Sequence, residues 1–313
     1  MQEKLLTYLK CLKCSSNDFE LKIEEKNELE IREGSLSCKK CGQNYSIHSG
    51  IAGFLIDPLP EVKAEIRGNF ESNLKDGKIP DEISEESILR MPYLKLENSY
   101  GHYESVSVNF DSMVERMELF EGATILDVGA LNCWTTNRFA EKGCYSVAAD
   151  ICTPKHSGLE SSDFFFKRGV YFERVQADMS ELPFCNESFD FVFFNNVIHH
   201  SSHIEKVISQ TYQILKKGGK IVFVGEPSYG IFSKKEEFGK EEREKYNINE
   251  NIYPFPMYRK FLKKSGFKKI RFFFPPAIDL KLSSGKYGWK NVNEDLFEFI
   301  NFFWKRRWLK KIL

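Results

Sequence analysis

The chain has no surplus of either charge, since 45 Lys and Arg balance 45 Asp and Glu across 313 residues. A neutral balance gives no global electrostatic case for nucleic acid, although local basic patches stay open. There is no apolar run of eighteen residues, and so no candidate for a membrane-spanning helix. No secretory signal pattern opens the chain either, because MQEKLLTYLKCLKC leads straight into a cysteine pair. The expected location is cytoplasmic. A G-x-G-x-x-G dinucleotide fingerprint and a G-K-S or G-K-T phosphate loop are both missing, which argues against a dinucleotide enzyme and a Walker-type ATPase. What remains is long enough for one large core with a small satellite, or for two ordinary domains.

Cysteine is present in two different settings. Cys11, Cys14, Cys38 and Cys41 form two C-x-x-C pairs, CLKC and CKKC. In a reducing compartment this spacing predicts a four-thiolate Zn2+ site that is structural, because four thiolates leave no open coordination position. The alternative is a pair of redox-active dithiols. Cys133, Cys144, Cys152 and Cys185 have no metal spacing and read as ordinary thiols. After a short extended or helical lead-in, residues 1–57 are expected to form a zinc ribbon. A hairpin through FELKIEE and LEIREGSL joins its two knuckles, and metal supplies much of its folding energy.

The stretch from Ala123 to Pro227 organises the rest. Thr124, Ile125 and Leu126 lead into Asp127 and Gly129 as a buried strand and glycine turn, and a helix through NCWTTNRFAEKG follows with Asn132 as its N-cap. Further strands are expected at YSVAADI, YFERVQAD, FDFVFFNN and KIVFVGEP. Ser202 and Glu205 form a capping-box signature for a helix over IEKVISQTYQILKK, ended by Gly218 and Gly219. MYRKFLKKSGF reads as another helix and KKIRFFFPP as a sixth strand.

The strand tips carry acidic and amide groups. Asp127 and Gly129 flank the first turn, Asp150 ends the second strand, Asp178 ends the third, and Asn195 ends the fourth. A carboxylate at the position of Asp150 suits a ribose diol, since it accepts from both hydroxyls. Asp178 suits an exocyclic amine on adenine, with Met179 and Leu182 as apolar cover. Ala130 in the turn and Ile151 after Asp150 complete the candidate cofactor-binding set. Together they describe an α/β nucleoside-binding domain.

The blocks ILDVGA, VAADI, QADMSELPFCNESFDFVFFNNVIHH and YQILKKGGKIVFVGEP resemble the class I S-adenosylmethionine-dependent methyltransferases over about residues 105–275. The resemblance implies a Rossmann-like sheet with helices on both faces. It also implies S-adenosyl-L-methionine as cofactor, ribose on Asp150, the adenine amino group on Asp178, and a methyl donor bordered by Asn195. With the cysteine pairs, the chain looks like zinc-ribbon methyltransferases, a group that includes ribosomal RNA guanine methyltransferases. It departs from that pattern in the turn, where Leu131 and Cys133 stand in place of the family's second and third glycines. Side chains there would crowd the cofactor's amino-acid tail unless the turn shifts.

Four segments are expected: the zinc ribbon (1–57), a linker and helical cover (58–104), the methyltransferase domain (105–278) and a C-terminal amphipathic aromatic and basic helix (279–313). Tyr100, His102 and Tyr103 either close over a ligand or pack as an edge. The charged run at 228–252 reads as a solvated helix or a flap. His199, His200 and Glu226 are the candidate catalytic groups, the histidines as proton acceptors for an oxygen nucleophile or as structural caps. The expected reaction is methyl transfer to a small-molecule, glycan or lipid-like acceptor. The alternatives are an RNA base methyltransferase that reads through the ribbon and a noncatalytic binding protein. The C-terminal helix is a candidate for contact with a membrane surface or a partner.

Overall fold

A strand that is apolar along its whole length must be covered on both faces, and in the computed structural model the central strands are. The structure describes residues 1–58, 60–72, 80, 83–94, 102–229, 244 and 250–273. Five parallel strands form the heart of the sheet: β5 (Thr124–Val128), β6 (Tyr145–Asp150), β7 (Glu173–Gln176), β8 (Phe189–Asn195) and β9 (Leu215–Val224). Their spatial order is β7-β6-β5-β8-β9, so the winding reverses between β5 and β8. A crevice above the carboxyl ends of the strands at such a reversal is where open α/β sheets take ligands. This is the α/β, Rossmann-like sheet that the resemblance to class I methyltransferases implies.

The N-terminal segment does not stand apart from this sheet. A 3-10 turn over Glu3–Tyr8 precedes β1 (Phe19–Lys26), β2 (Ile31–Cys38), β3 (Asn44–His48) and β4 (Ile51–Gly53). The first three pairings are antiparallel, and β4 then pairs parallel with β7, Ala52 opposite Val175. The result is one nine-stranded sheet. Leu5, Leu9, Tyr45 and Phe54 share a buried cluster with Val175, Phe184 and Phe189, so one hydrophobic core runs through both segments. The lead-in is stitched down by Lys10 N–H to the Pro183 carbonyl (2.9 Å) and by stacking of Tyr8 on Tyr145, with ring centroids 5.0 Å apart.

Helices α1 (Pro60–Ser72), α2 (Glu85–Arg90) and α3 (His102–Met117) precede β5. Phe110 and Met117 of α3 pack on Ile125, Phe139 and Phe193. Then follow α4 (Trp134–Glu141), α5 (Ser162–Phe166), α6 (Ile204–Ile214) and α7 (Phe255–Lys264). A short parallel pair, β10 (Ser228–Tyr229) with β11 (Tyr253–Pro254), lies beyond β9. No helix among the described residues is long and apolar enough to cross a membrane.

Several local expectations are corrected. Asn132 is not the N-cap of α4: Cys133 holds that position in the left-handed conformation and makes no side-chain cap bond. The Ser202–Glu205 capping box is not made either. His203 is the N-cap of α6, its N–H donates to Ser201 Oγ (3.1 Å), and Glu205 pairs with Lys264 instead. Helix α6 stops at Ile214, and the LKKGG run goes into β9 because Phe189 of β8 pairs with Leu215 there. Residues 268–273 form no strand, so the described sheet lacks the sixth parallel strand. Phe272 and Phe273 sit half exposed, packed on Phe255 and under Arg116. The C-terminal helix expected over 279–313, Tyr100, and the charged run at 228–252 apart from residues 228–229, 244 and 250–252 lie outside the described residues.

Candidate active site

At the β5/β8 reversal the strand tips open into a cavity of about 630 Å³. Gly129, Ala130, Asp150, Ile151, Asp178, Met179 and Asn195 all line it. The turn after β5 is sharp because Gly129 adopts φ +73°, and its missing Cβ is also required by packing. A Cβ there would lie 2.2 Å from Cγ2 of Val197. Gly129 N–H donates to the Ala149 carbonyl (2.8 Å), which ties the turn to the end of β6.

Asp150 is almost fully buried, and its two oxygens are oriented by backbone donors. Leu131 N–H reaches Oδ2 at 2.8 Å and Cys152 N–H reaches Oδ1 at 2.7 Å. Burial raises its carboxyl above the ordinary range, and these backbone bonds oppose the rise. Asp178 accepts from Ser180 N–H (2.7 Å), which fixes it at the end of β7. Asn132 also lines the cavity, and its Oδ1 is buried without a hydrogen-bond partner.

Asp127 differs from the other candidates because it does not line the cavity. It lies below the turn, where Thr135 and Thr136 donate to Oδ2, the latter at 2.6 Å, while Oδ1 has no partner. Burial pushes its pKa up to about 6, against the two threonine bonds. Its place is that of a bolt between β5 and α4, with no direct reach to a ligand.

The two residues in glycine positions part company. Leu131 (φ +43°) and Cys133 (φ +64°) both keep the left-handed backbone that glycine would supply. Cys133 turns its sulfur away, into a buried cluster with Ala130, Leu159 and Phe164. Leu131 alone reaches the cavity wall. The turn thus carries backbone strain at both positions.

Among the catalytic candidates, only His200 lines the cavity. His199 is buried beside it, with Nδ1 2.8 Å from Glu226 Oε2. Glu226 also accepts from the N–H groups of Val197 (2.7 Å) and Ile198 (3.0 Å), so it fastens the loop after β8. Further residues complete the wall. Glu65 and Val62 of α1 and Tyr103 and Asn109 of α3 form its outer side. The sequence around α1 is largely charged, with no motif to mark it as cavity-lining. Tyr103, expected to close over a ligand or to pack as an edge, lines the cavity.

At the far end of the molecule the four cysteines meet. Sγ atoms of Cys11 and Cys41 are 3.6 Å apart, and those of Cys14 and Cys38 are 3.5 Å apart, with no disulfide. Zinc–sulfur bonds of about 2.3 Å in a tetrahedron put sulfurs roughly 3.7 Å apart, so the set fits a zinc ion.

Strand order and the strand-end cavity give the fold of a class I methyltransferase domain. Comparison with known proteins agrees: residues 126–223 match the family model described as a methyltransferase domain. An uncharacterised protein of Methanocaldococcus jannaschii is 29% identical over 136 residues, covering 44% of this chain and 62% of that protein. Malonyl-[acyl-carrier protein] O-methyltransferase of Buchnera aphidicola is 27% identical over 116 residues, covering 36% of this chain and 42% of the relative. The chain therefore spans less than two thirds of the length of these relatives. Among solved structures, phosphoethanolamine N-methyltransferase 2 of Haemonchus contortus is similar at 17% identity and a TM-score of 0.48, over 79% of this chain and 57% of that one.

Proposed function

We propose that this protein transfers the methyl group of S-adenosylmethionine to a small-molecule, glycan or lipid-like acceptor. The observation that carries the reading is the convergence of Asp150, Asp178 and Asn195, from three different strands, on one cavity beside the Gly129 turn. In this reading Asp150 accepts from the ribose hydroxyls and Asp178 from the adenine amino group, with Met179 against the ring. When bound, the cofactor supplies an electrophilic methyl carbon on a sulfonium sulfur. The chain's part is to hold the acceptor in line with that carbon and keep water out, which accounts for the cover of α1 and α3. His200 stands at the acceptor side, and His199 and Glu226 act as positioning residues behind it.

A small acceptor is favoured over RNA by charge at the cavity wall. Glu61 and Glu65 both line it, and their carboxylates repel a phosphate backbone. The four-cysteine cluster is proposed to hold a structural Zn2+ that fixes the two knuckles, away from the transfer step.

The test is release of S-adenosylhomocysteine by zinc-loaded protein on two acceptor panels, one of hydroxyl- and amine-bearing small molecules, sugars and lipids, and one of structured RNA. Turnover on the first panel, abolished in Asp178→Ala, supports the reading. Turnover on RNA alone overturns the acceptor assignment, and no turnover with intact cofactor binding points to the noncatalytic alternative.

A further inference from the structure

Helix α7 and the residues after it gather positive charge in a chain that is neutral overall. Between Glu250 and Asp279 the sequence has no acidic residue. Arg259, Lys260, Lys263 and Lys264 lie on α7, and Lys268, Lys269 and Arg271 follow within seven residues of its end.

Packing fixes which way the helix faces. Tyr258, Phe261 and Leu262 are buried in the main core with Ile204, Val207 and Ile208 of α6. Neighbours on a helix surface are four residues apart, so Phe255, Arg259 and Lys263 form one outward row and Lys260 with Lys264 the next. All five are exposed, and Lys264 pairs with Glu205 of α6. Beyond α7 the chain turns at Gly266 (φ +107°) and is anchored by Phe267, whose ring centroid lies 5.1 Å from that of Tyr212. Phe272 then meets Phe255, with centroids 4.0 Å apart. A helix of ten residues is about 15 Å long, so Phe272 reaches its first residue only by returning beside it. Exposed Lys268, Lys269 and Arg271 are carried on that returning segment. Phe255, Phe272 and Phe273 are 42%, 39% and 45% exposed, so the basic rows end in an apolar knuckle.

We propose that this face, α7 with residues 268–273, docks the protein on an anionic membrane surface. Charge draws it there, since each Lys or Arg close to an anionic leaflet strengthens binding roughly fivefold. The phenylalanines add what charge alone lacks, an apolar contact at the headgroup boundary that persists when salt screens the rest. Single-stranded RNA is the competing occupant of a basic aromatic face, and ring geometry disfavours it. A base stacks on an open ring face, whereas Phe255 and Phe272 are pressed together and Phe273 lies under the Arg116 guanidinium. Nothing in this surface depends on the methyl-transfer reading.

The experiment is co-sedimentation of full-length protein with vesicles of phosphatidylcholine alone, or of phosphatidylcholine and phosphatidylglycerol in equal parts. The expected result is binding to the anionic vesicles only, weakened at least about tenfold in Arg259→Gln/Lys260→Gln/Lys263→Gln. Phe255→Ser/Phe272→Ser should still bind at low salt, and should lose at least about fivefold more affinity than wild type at high salt. Wild-type protein that ignores anionic vesicles overturns the proposal. Binding that the triple glutamine variant keeps does so too, because it places the contact elsewhere on the chain. Single-stranded RNA bound more tightly than the vesicles, and lost in the same variant, assigns the face to nucleic acid and equally overturns it. Lipid dependence is read on the wild type, and a thermal melt separates lost binding from lost fold in the variants.

Discussion

Asp150 Oδ2 accepts a hydrogen bond from the backbone N–H of Leu131, 2.8 Å away, and so joins the end of β6 to the turn after β5. One carboxylate thus shapes the turn and faces the cavity. Asp150→Ala should weaken S-adenosylhomocysteine binding by about 1.5–3 kcal/mol, the usual worth of hydrogen bonds to a charged group, or roughly ten- to hundredfold. Isothermal titration measures it. An effect within twofold would separate Asp150 from the ligand.

Gly129→Ala tests the turn itself. The new methyl would meet Val197 at 2.2 Å on a backbone at φ +73°. Overpacking and left-handed strain together predict a loss of about 2–4 kcal/mol in urea unfolding. The reverse change, Leu131→Gly, should leave stability within about 1 kcal/mol, because relief at φ +43° offsets the greater freedom of the unfolded chain.

Asp127 predicts a pH dependence of stability. An unfolded aspartate titrates near 3.9, and burial pushes Asp127 up to about 6. Below about pH 4 the group is protonated in both states and has no effect. As pH rises towards 6 the unfolded chain gives up its proton first, so stability falls. Above about pH 6 the loss is complete, at about 3 kcal/mol. Asp127→Asn should flatten this limb, seen as a gain in Tm over wild type at pH 7.5 that shrinks at pH 4.5.

Arg174 of β7 pairs with Glu30 across the junction of the two segments, both side chains 1% exposed. Burial would raise the Glu30 carboxyl, but Arg174 and the Met1 ammonium, 2.9 Å from Oε2, together hold it below its usual range. Arg174→Met leaves a buried carboxylate poorly compensated and should destabilise by about 3 kcal/mol. Adding Glu30→Gln should recover part of that loss, and a double-mutant cycle in urea checks it.

Removal of the proposed zinc by a chelator should unfold the knuckles and also lower the Tm of the whole chain. Pairing of β4 with β7 makes the ribbon an edge of the main sheet, so the two cannot melt independently. Two separate transitions by calorimetry would contradict this.

Much of the fold was legible in the sequence because the residues of β5 and β8 leave few alternatives. Phe189–Asn195 is almost unbroken in its hydrophobicity, and such a run sits only in a sheet covered on both faces. The strand-end residues Asp150, Asp178 and Asn195 followed from chain order alone, since every strand of a parallel sheet delivers its last residue to the same edge. The junction of ribbon and sheet was not legible. Ile51–Gly53 is three residues long, and nothing local says that its partner is β7, more than a hundred residues away. The cavity's outer wall was hidden for a similar reason. Glu65 acquires its place from how α1 packs, and its neighbours in sequence look like ordinary solvated helix, whereas Tyr103 stood among the residues expected to close over a ligand or to pack as an edge. Asp127 was read as a ligand contact because it stands beside the glycine turn, yet alternation along β5 points it inward to Thr135 and Thr136.

The most direct measurement is calorimetric titration of the folded, zinc-loaded chain with S-adenosylmethionine. The account predicts saturable binding of one cofactor per chain, weakened at least about tenfold in both Asp150→Ala and Asp178→Ala. A folded wild-type sample that takes up no cofactor would contradict it.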